Sequence, residues 1–132
     1  MVLIANTGSI AQYVREQITD IPSSIDSGTN LINYVEFGRI DVQNFTGETI
    51  NSDNVNEKYI SILRSMGCVY TLTNMIGARV DFDVKLGELN VTKVNKDIPE
   101  KVELDTFVSQ ANMSMKMIGR HIGYKKVWGG SG

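Results

Sequence analysis

The stretch Tyr59-Ile-Ser-Ile-Leu-Arg-Ser-Met-Gly-Cys-Val-Tyr-Thr-Leu-Thr-Asn-Met-Ile-Gly-Ala78 decides how the rest of this 132-residue chain is read. Tyr59, Leu63, Met66, Tyr70 and Thr73 step by three and four, the spacing of one helix face. Ile60, Ile62, Val69, Leu72, Met75 and Ile76 fall on other faces, and Arg64 is the only charge. A helix apolar nearly all round must be covered on several sides, so a buried central helix is expected. A membrane span is the competing reading, because the length suits a bilayer. Ser61, Arg64, Ser65, Thr71, Thr73 and Asn74 would be expensive in hydrocarbon, and neither an aromatic belt nor a basic loop flanks them. The reading adopted is the central helix of a small domain with no membrane contact.

Upstream, residues 9–18 suit a first helix, capped by Thr7 or Ser9, with Ile10, Val14 and Ile18 as a thin apolar stripe. Ile21-Pro22 stops it. Ser23, Ser24 and Asp26 offer caps for a second helix reaching about Phe45, its face formed by Leu31, Tyr34/Val35, Gly38, Val42 and Phe45. Thr46-Gly47 ends that helix, since glycine tolerates the positive φ found just past helix ends. Residues 51–56 are a polar connection into the central helix.

After Arg79 the period falls to two. Val80, Phe82, Val84 and Leu86 alternate with Asp81, Asp83 and Lys85, which predicts a half-buried strand. Gly87-Glu88 suits a type II′ turn, with Leu89, Val91 and Val94 on a returning strand; an unpaired extended loop is the alternative. Asp97, Pro99 and Glu100 announce a last helix, and Leu104, Phe107/Val108, Ala111, Met115, Ile118 and Ile122 form its stripe. Glu100, Glu103 and Asp105 at its start and Arg120 and His121 at its end complement the helix dipole. Gly123 is expected to close it. The fold class expected is mainly α: about four helices, with a β-hairpin or extended loop inserted before the last. Residues 1–123 form one domain, and 124–132 a C-terminal tail ending in the flexible run Gly129–Gly132.

Thirteen Lys and Arg against fifteen Asp and Glu leave a formal net charge of −2, which argues against a general nucleic-acid binder. The single cysteine has no disulfide partner and no companions for a structural zinc. The opening Met-Val-Leu-Ile-Ala-Asn lacks the basic and apolar regions of a signal peptide, so an intracellular protein is expected. The sequons at Asn44, Asn90 and Asn112 then read as chance matches.

Cys68, inside the most apolar helix and far from any base, reads as a structural thiol. His121, the only histidine, suits a helix-terminal charge better than catalysis. Asp81 and Asp83 share a strand face and read as solvated carboxylates before a cation site. Met115 reads as core, whereas Met113 and Met117 lie off the stripe. The run Gly119-Arg-His-Ile-Gly123-Tyr-Lys ends a helix instead of following a strand, so it is no phosphate loop. No catalytic, cofactor-binding or metal-ligating set is expected. In the tail, Tyr124, Lys125, Lys126, Val127 and Trp128 combine aromatic anchors with cations, the composition of a docking segment or of a chain end folded back on its own domain.

Two further stretches carry a resemblance. The second helix ends in Ile40-Asp-Val-Gln-Asn-Phe-Thr-Gly47, and Lys85-Leu-Gly-Glu-Leu-Asn-Val91 precedes the last helix. With the order of elements between about 25 and 122, these resemble the head–tail connector (adaptor, or head-completion) proteins of tailed bacteriophages and related viruses. The final helix here is less alanine-rich, and the alternation at 80–86 is more regular, than in that family. The resemblance implies a non-enzymatic virion protein assembled in the host cytoplasm. It would form a ring, expected as a dodecamer, under the portal protein, extending the DNA channel to the next tail-completion protein without binding DNA specifically. Val80, Phe82, Val84, Leu86, Leu89 and Val91 are then expected to contact a neighbouring subunit, and Tyr124–Trp128 to dock on the portal. The alternatives are a small cellular helical regulator or binding module, and a small enzyme using His121 with Asp81 or Asp83.

Overall fold

In the computed structural model, Glu57–Ile76 forms the central helix; in chain order it is α3. The structure describes residues 5–18, 20–92 and 100–129, with the side chains of the last helix described as far as Ile118. The Asn56 side chain caps α3 by accepting from the Lys58 backbone N–H, and Gly77, at φ 72°, ends it in the left-handed conformation. Buried residues occupy most of its circumference, among them Tyr59, Ile62, Leu63, Met66, Cys68, Val69 and Leu72. Buried Thr71 and Thr73 return their hydroxyl hydrogens to the carbonyls of Gly67 and Tyr70 within the same helix. No helix among the described residues is long and apolar enough to cross a membrane.

The other elements wrap this axis: α1 (Thr7–Gln17), α2 (Asn30–Thr46), the strands β1 (Arg79–Asp83) and β2 (Glu88–Thr92), and α4 (Glu100–Gly129). The fold is mainly α, four helices with a two-stranded antiparallel hairpin before the last. Close approach of three helices depends on small residues. A Cβ on Gly67 would lie 2.9 Å from Val14 of α1 and 3.0 Å from Val35 of α2, and one on Gly38 would lie 2.9 Å from Met66. Of the predicted stripes, Ile10, Val14, Ile18, Leu31, Val35, Gly38, Val42, Leu104, Ala111 and Met115 are buried; Tyr34, Phe45, Phe107, Val108 and Ile118 are half-buried against the core, and the side chain of Ile122 lies outside the described residues.

Several boundaries differ from expectation. The cap of α1 is Asn6, which forms a reciprocal box with Ser9. α2 begins at Asn30, later than Ser23, Ser24 and Asp26 suggest, because Asp26 is taken by a distant partner. Both its oxygens accept from the Arg15 guanidinium at 2.8 Å, which ties the α1–α2 connection to α1. The chain before α1 is pinned to the connection before α3: Val55 donates to the Ala5 carbonyl at 2.8 Å, and Thr7 to that of Ser52 at 3.0 Å. β1 stops at Asp83 instead of reaching Leu86. Asp83 Oδ1 accepts from the backbone N–H groups of Lys85 and Leu86 and turns the chain early. The hairpin is closed by four residues, with Gly87 at φ 63° donating to the Asp83 carbonyl at 2.7 Å, in place of a two-residue turn at Gly87-Glu88. Val94 and Asp97, expected to continue β2 and to cap the last helix, lie outside the described residues. α4 runs past Gly123 to Gly129, so the backbone of 124–128, expected as a tail, is helical.

Candidate functional site

β1 and β2 pair Val80 with Val91 and Phe82 with Leu89, so the apolar residues of both strands share one face. That face turns inward. Phe82 meets Phe45 of α2 edge-on at 6.2 Å between ring centroids, Leu89 is fully buried, and Val80 and Val91 pack half-buried against the core. The outer edge of β2 is also occupied. Asn112 of α4 accepts from the Leu89 N–H at 2.8 Å and donates to its carbonyl at 3.2 Å, completing both backbone groups as a paired strand would. The amide of the Asn112 sequon is therefore engaged within the fold.

Of the six residues expected to contact a neighbouring subunit, Val80, Phe82, Leu89 and Val91 are thus packed on their own chain. Val84 and Leu86 are not. They sit on the turn, 42% and 68% exposed. Gly87 holds the turn down, because a Cβ there would lie 2.8 Å from the Phe45 ring.

Cys68 is fully buried, and burial, reinforced by the charge of Glu103, pushes its thiol up to about 12. A thiol so far above neutral pH is not a nucleophile. Asp81 and Asp83 face solvent, the first 3.3 Å from Arg79 and the second bonded to its own turn. Among the described residues no group of three or more His, Cys, Asp or Glu is arranged to hold a metal ion. Met115 is buried, while Met113 and Met117 are exposed on α4. The side chains of His121 and of Tyr124, Lys125, Lys126, Val127 and Trp128 lie outside the described residues.

Two surfaces have no counterpart in the periodicity of the chain. An open groove of about 420 Å³ lies between the start of α3 and the later part of α4, floored by Tyr59 and Ile62 and walled by Ser114, Met117 and Ile118. Glu48 and Lys58, ion-paired at 3.0 Å, stand at its rim. The second surface joins α2 to α3, where Phe37 lies between Tyr34 and Tyr70 with centroid separations of 6.4 and 5.8 Å. The Tyr70 hydroxyl donates to Asp41 at 2.5 Å. Burial, followed by that hydrogen bond to the carboxylate, lifts the Tyr70 phenol well above the ordinary tyrosine range. Asp41 is itself raised by burial, with the bond from Tyr70 opposing the shift. No family model, no curated protein and no solved structure matches the chain.

Proposed function

We propose that this protein is a structural subunit of the head–tail connector kind, assembling with copies of itself into a ring beneath a portal protein. The observation that carries the reading is the hairpin. A small helical domain closes its core around α3, yet extends a turn with Val84 and Leu86 exposed outside that core. Apolar side chains carried outward on a short, internally braced hairpin favour contact with another protein surface. Met113 and Met117 add further exposed apolar groups on α4. The net charge of −2 suits a channel past which DNA slides better than a surface that grips phosphates. The next tail-completion protein would meet the opposite face of the ring.

The concentrated 132-residue protein is expected to assemble, with sedimentation equilibrium giving the mass and negative-stain microscopy the ring. Val84→Asp with Leu86→Asp should yield soluble, fully folded monomers. A chain that stays monomeric at every concentration, alone and with portal protein, would sink the reading. So would a hydrolytic or redox turnover abolished by His121→Gln, which would favour an enzyme.

A further inference from the structure

α2 and α3 carry an aromatic strip at the edge of the core, with Tyr34 and Tyr70 half-buried. Phe37 is 49% exposed between Tyr34 and Tyr70, and Ile40, 42% exposed, extends the strip along α2. Carboxylates edge it. Asp41 is bonded to the Tyr70 hydroxyl, and Asp81, on the outer face of β1, lies near enough to act on the same phenol. Arg79 pairs with Asp81, but no ion pair reaches Asp41 among the described residues. A half-buried carboxylate that lacks a cation weakens the fold that holds it.

The end of α4 carries complementary chemistry. α4 runs antiparallel to α3: Glu103 acts electrostatically on Cys68, whereas Ser114, Met117 and Ile118 share a groove with Tyr59 and Ile62. α3 begins at Glu57, just before Tyr59, while α4 continues as helix from residue 119 to Gly129, about 16 Å of rise. Arg120, Tyr124, Lys125, Lys126 and Trp128 fall in that overhang. Tyr70 lies roughly 16 Å from Tyr59 in the other direction along α3. The overhanging helix therefore points away from the strip of its own chain, and only another molecule can bring the two together.

We infer that the strip of Phe37, Ile40 and Tyr70, edged by Asp41 and Asp81, receives the Arg120–Trp128 end of α4 from a second copy of this chain. The inference rests on the self-assembly proposed above, names one of its contacts, and gives the C-terminal segment a partner other than the portal. Lys125 and Lys126 would supply the cations that Asp41 and Asp81 attract, and Tyr124 and Trp128 the aromatic faces that Phe37 and Tyr70 stack against. Because strip and helix end are different surfaces, each copy has one of each to offer. Such a contact is heterologous and propagates until it closes into a ring.

Sedimentation equilibrium of two variants of the 132-residue chain and of their mixture tests this contact. Phe37→Ser with Ile40→Ser removes the strip but leaves the helix end; Lys125→Glu with Lys126→Glu does the reverse. Each alone should associate at least about tenfold more weakly than wild type, a loss of about 1.4 kcal/mol. An equimolar mixture should associate more tightly than either variant alone and favour dimers over larger species, because only a mixed pair restores the strip contact while the hairpin contact is the same in all. Wild-type association should also weaken between about 0.1 and 1 M salt, as screening shortens the reach of the charges. Melting temperatures of both variants establish that they are folded. If the strip variant melts early, Ile40→Lys, at an exposed position, replaces it. Wild type that assembles while both variants assemble equally well overturns this contact and leaves the ring reading standing. Two monomeric variants whose mixture stays monomeric also overturn it. A wild type that never associates overturns both.

Discussion

At the scale of single residues, Asp41 and Cys68 show how position sets chemistry. Burial raises the Asp41 carboxyl above its ordinary range, so in the pH interval between its unfolded and folded values the folded state holds more protons. Its contribution to stability therefore falls as pH rises through that interval and remains unfavourable at neutral pH. Asp41→Asn keeps an acceptor for Tyr70 and removes the charge. It should raise the melting temperature at pH 7, with the gain vanishing in acid, while weakening self-association; an unchanged or lower melting temperature at neutral pH would contradict this. Cys68 is a protonated thiol in the core, so its modification by a thiol reagent should follow global unfolding and match the unfolding rate. Cys68→Ala should cost about 1 kcal/mol or somewhat more through the cavity it leaves, measured by denaturant titration.

At the scale of elements, the hairpin depends on two residues outside its strands and one inside its turn. Asn112 completes the hydrogen bonding of Leu89, and Phe45 supports both Phe82 and the turn. Asn112→Ala leaves a donor and an acceptor without partners next to a buried side chain, a loss of about 1–3 kcal/mol. Hydrogen exchange at the Leu89 amide should accelerate accordingly, and a protected amide in that variant would count against the bracing role. Gly87→Ala meets two penalties, the positive φ and the Phe45 ring 2.8 Å from the new Cβ. It should destabilise by about 1 kcal/mol or more. Thermal melts of the variant would check the figure.

At the scale of the whole molecule, surface and core roles divide the hairpin. Leu89→Asp buries a charge with no cation beside it and should unfold the domain, whereas Leu86→Asp should leave the melt unchanged and reduce assembly. Phe82 belongs with Leu89, because its ring packs on Phe45. Truncation after Gly123 removes helix that projects beyond the start of α3. It should spare the melting temperature of the domain and abolish attachment through the Arg120–Trp128 end. A sharp fall in melting temperature would instead make Trp128 part of the core.

What the sequence by itself determined was the set of elements. Helical steps of three and four marked the buried faces of all four helices, alternation marked the strands, and Gly47 marked the end of α2. These are local signals, set by the repeat of one element and the conformational freedom of one residue. Only tertiary structure decided where each apolar face points and which polar groups meet. Asn112 and Leu89 are 23 residues apart, and Asp41 and Tyr70 are 29 apart. Alternation says that Phe82 and Leu89 share a face, but the same pattern serves a face turned toward another subunit and one turned toward α2 and α4. Asp83 fits a strand by period until its side chain caps the turn. Asp26 fits a helix cap until the Arg15 fork takes both its oxygens. Contacts between distant parts of the chain leave no period behind, because they depend on how finished elements dock and not on how each is built.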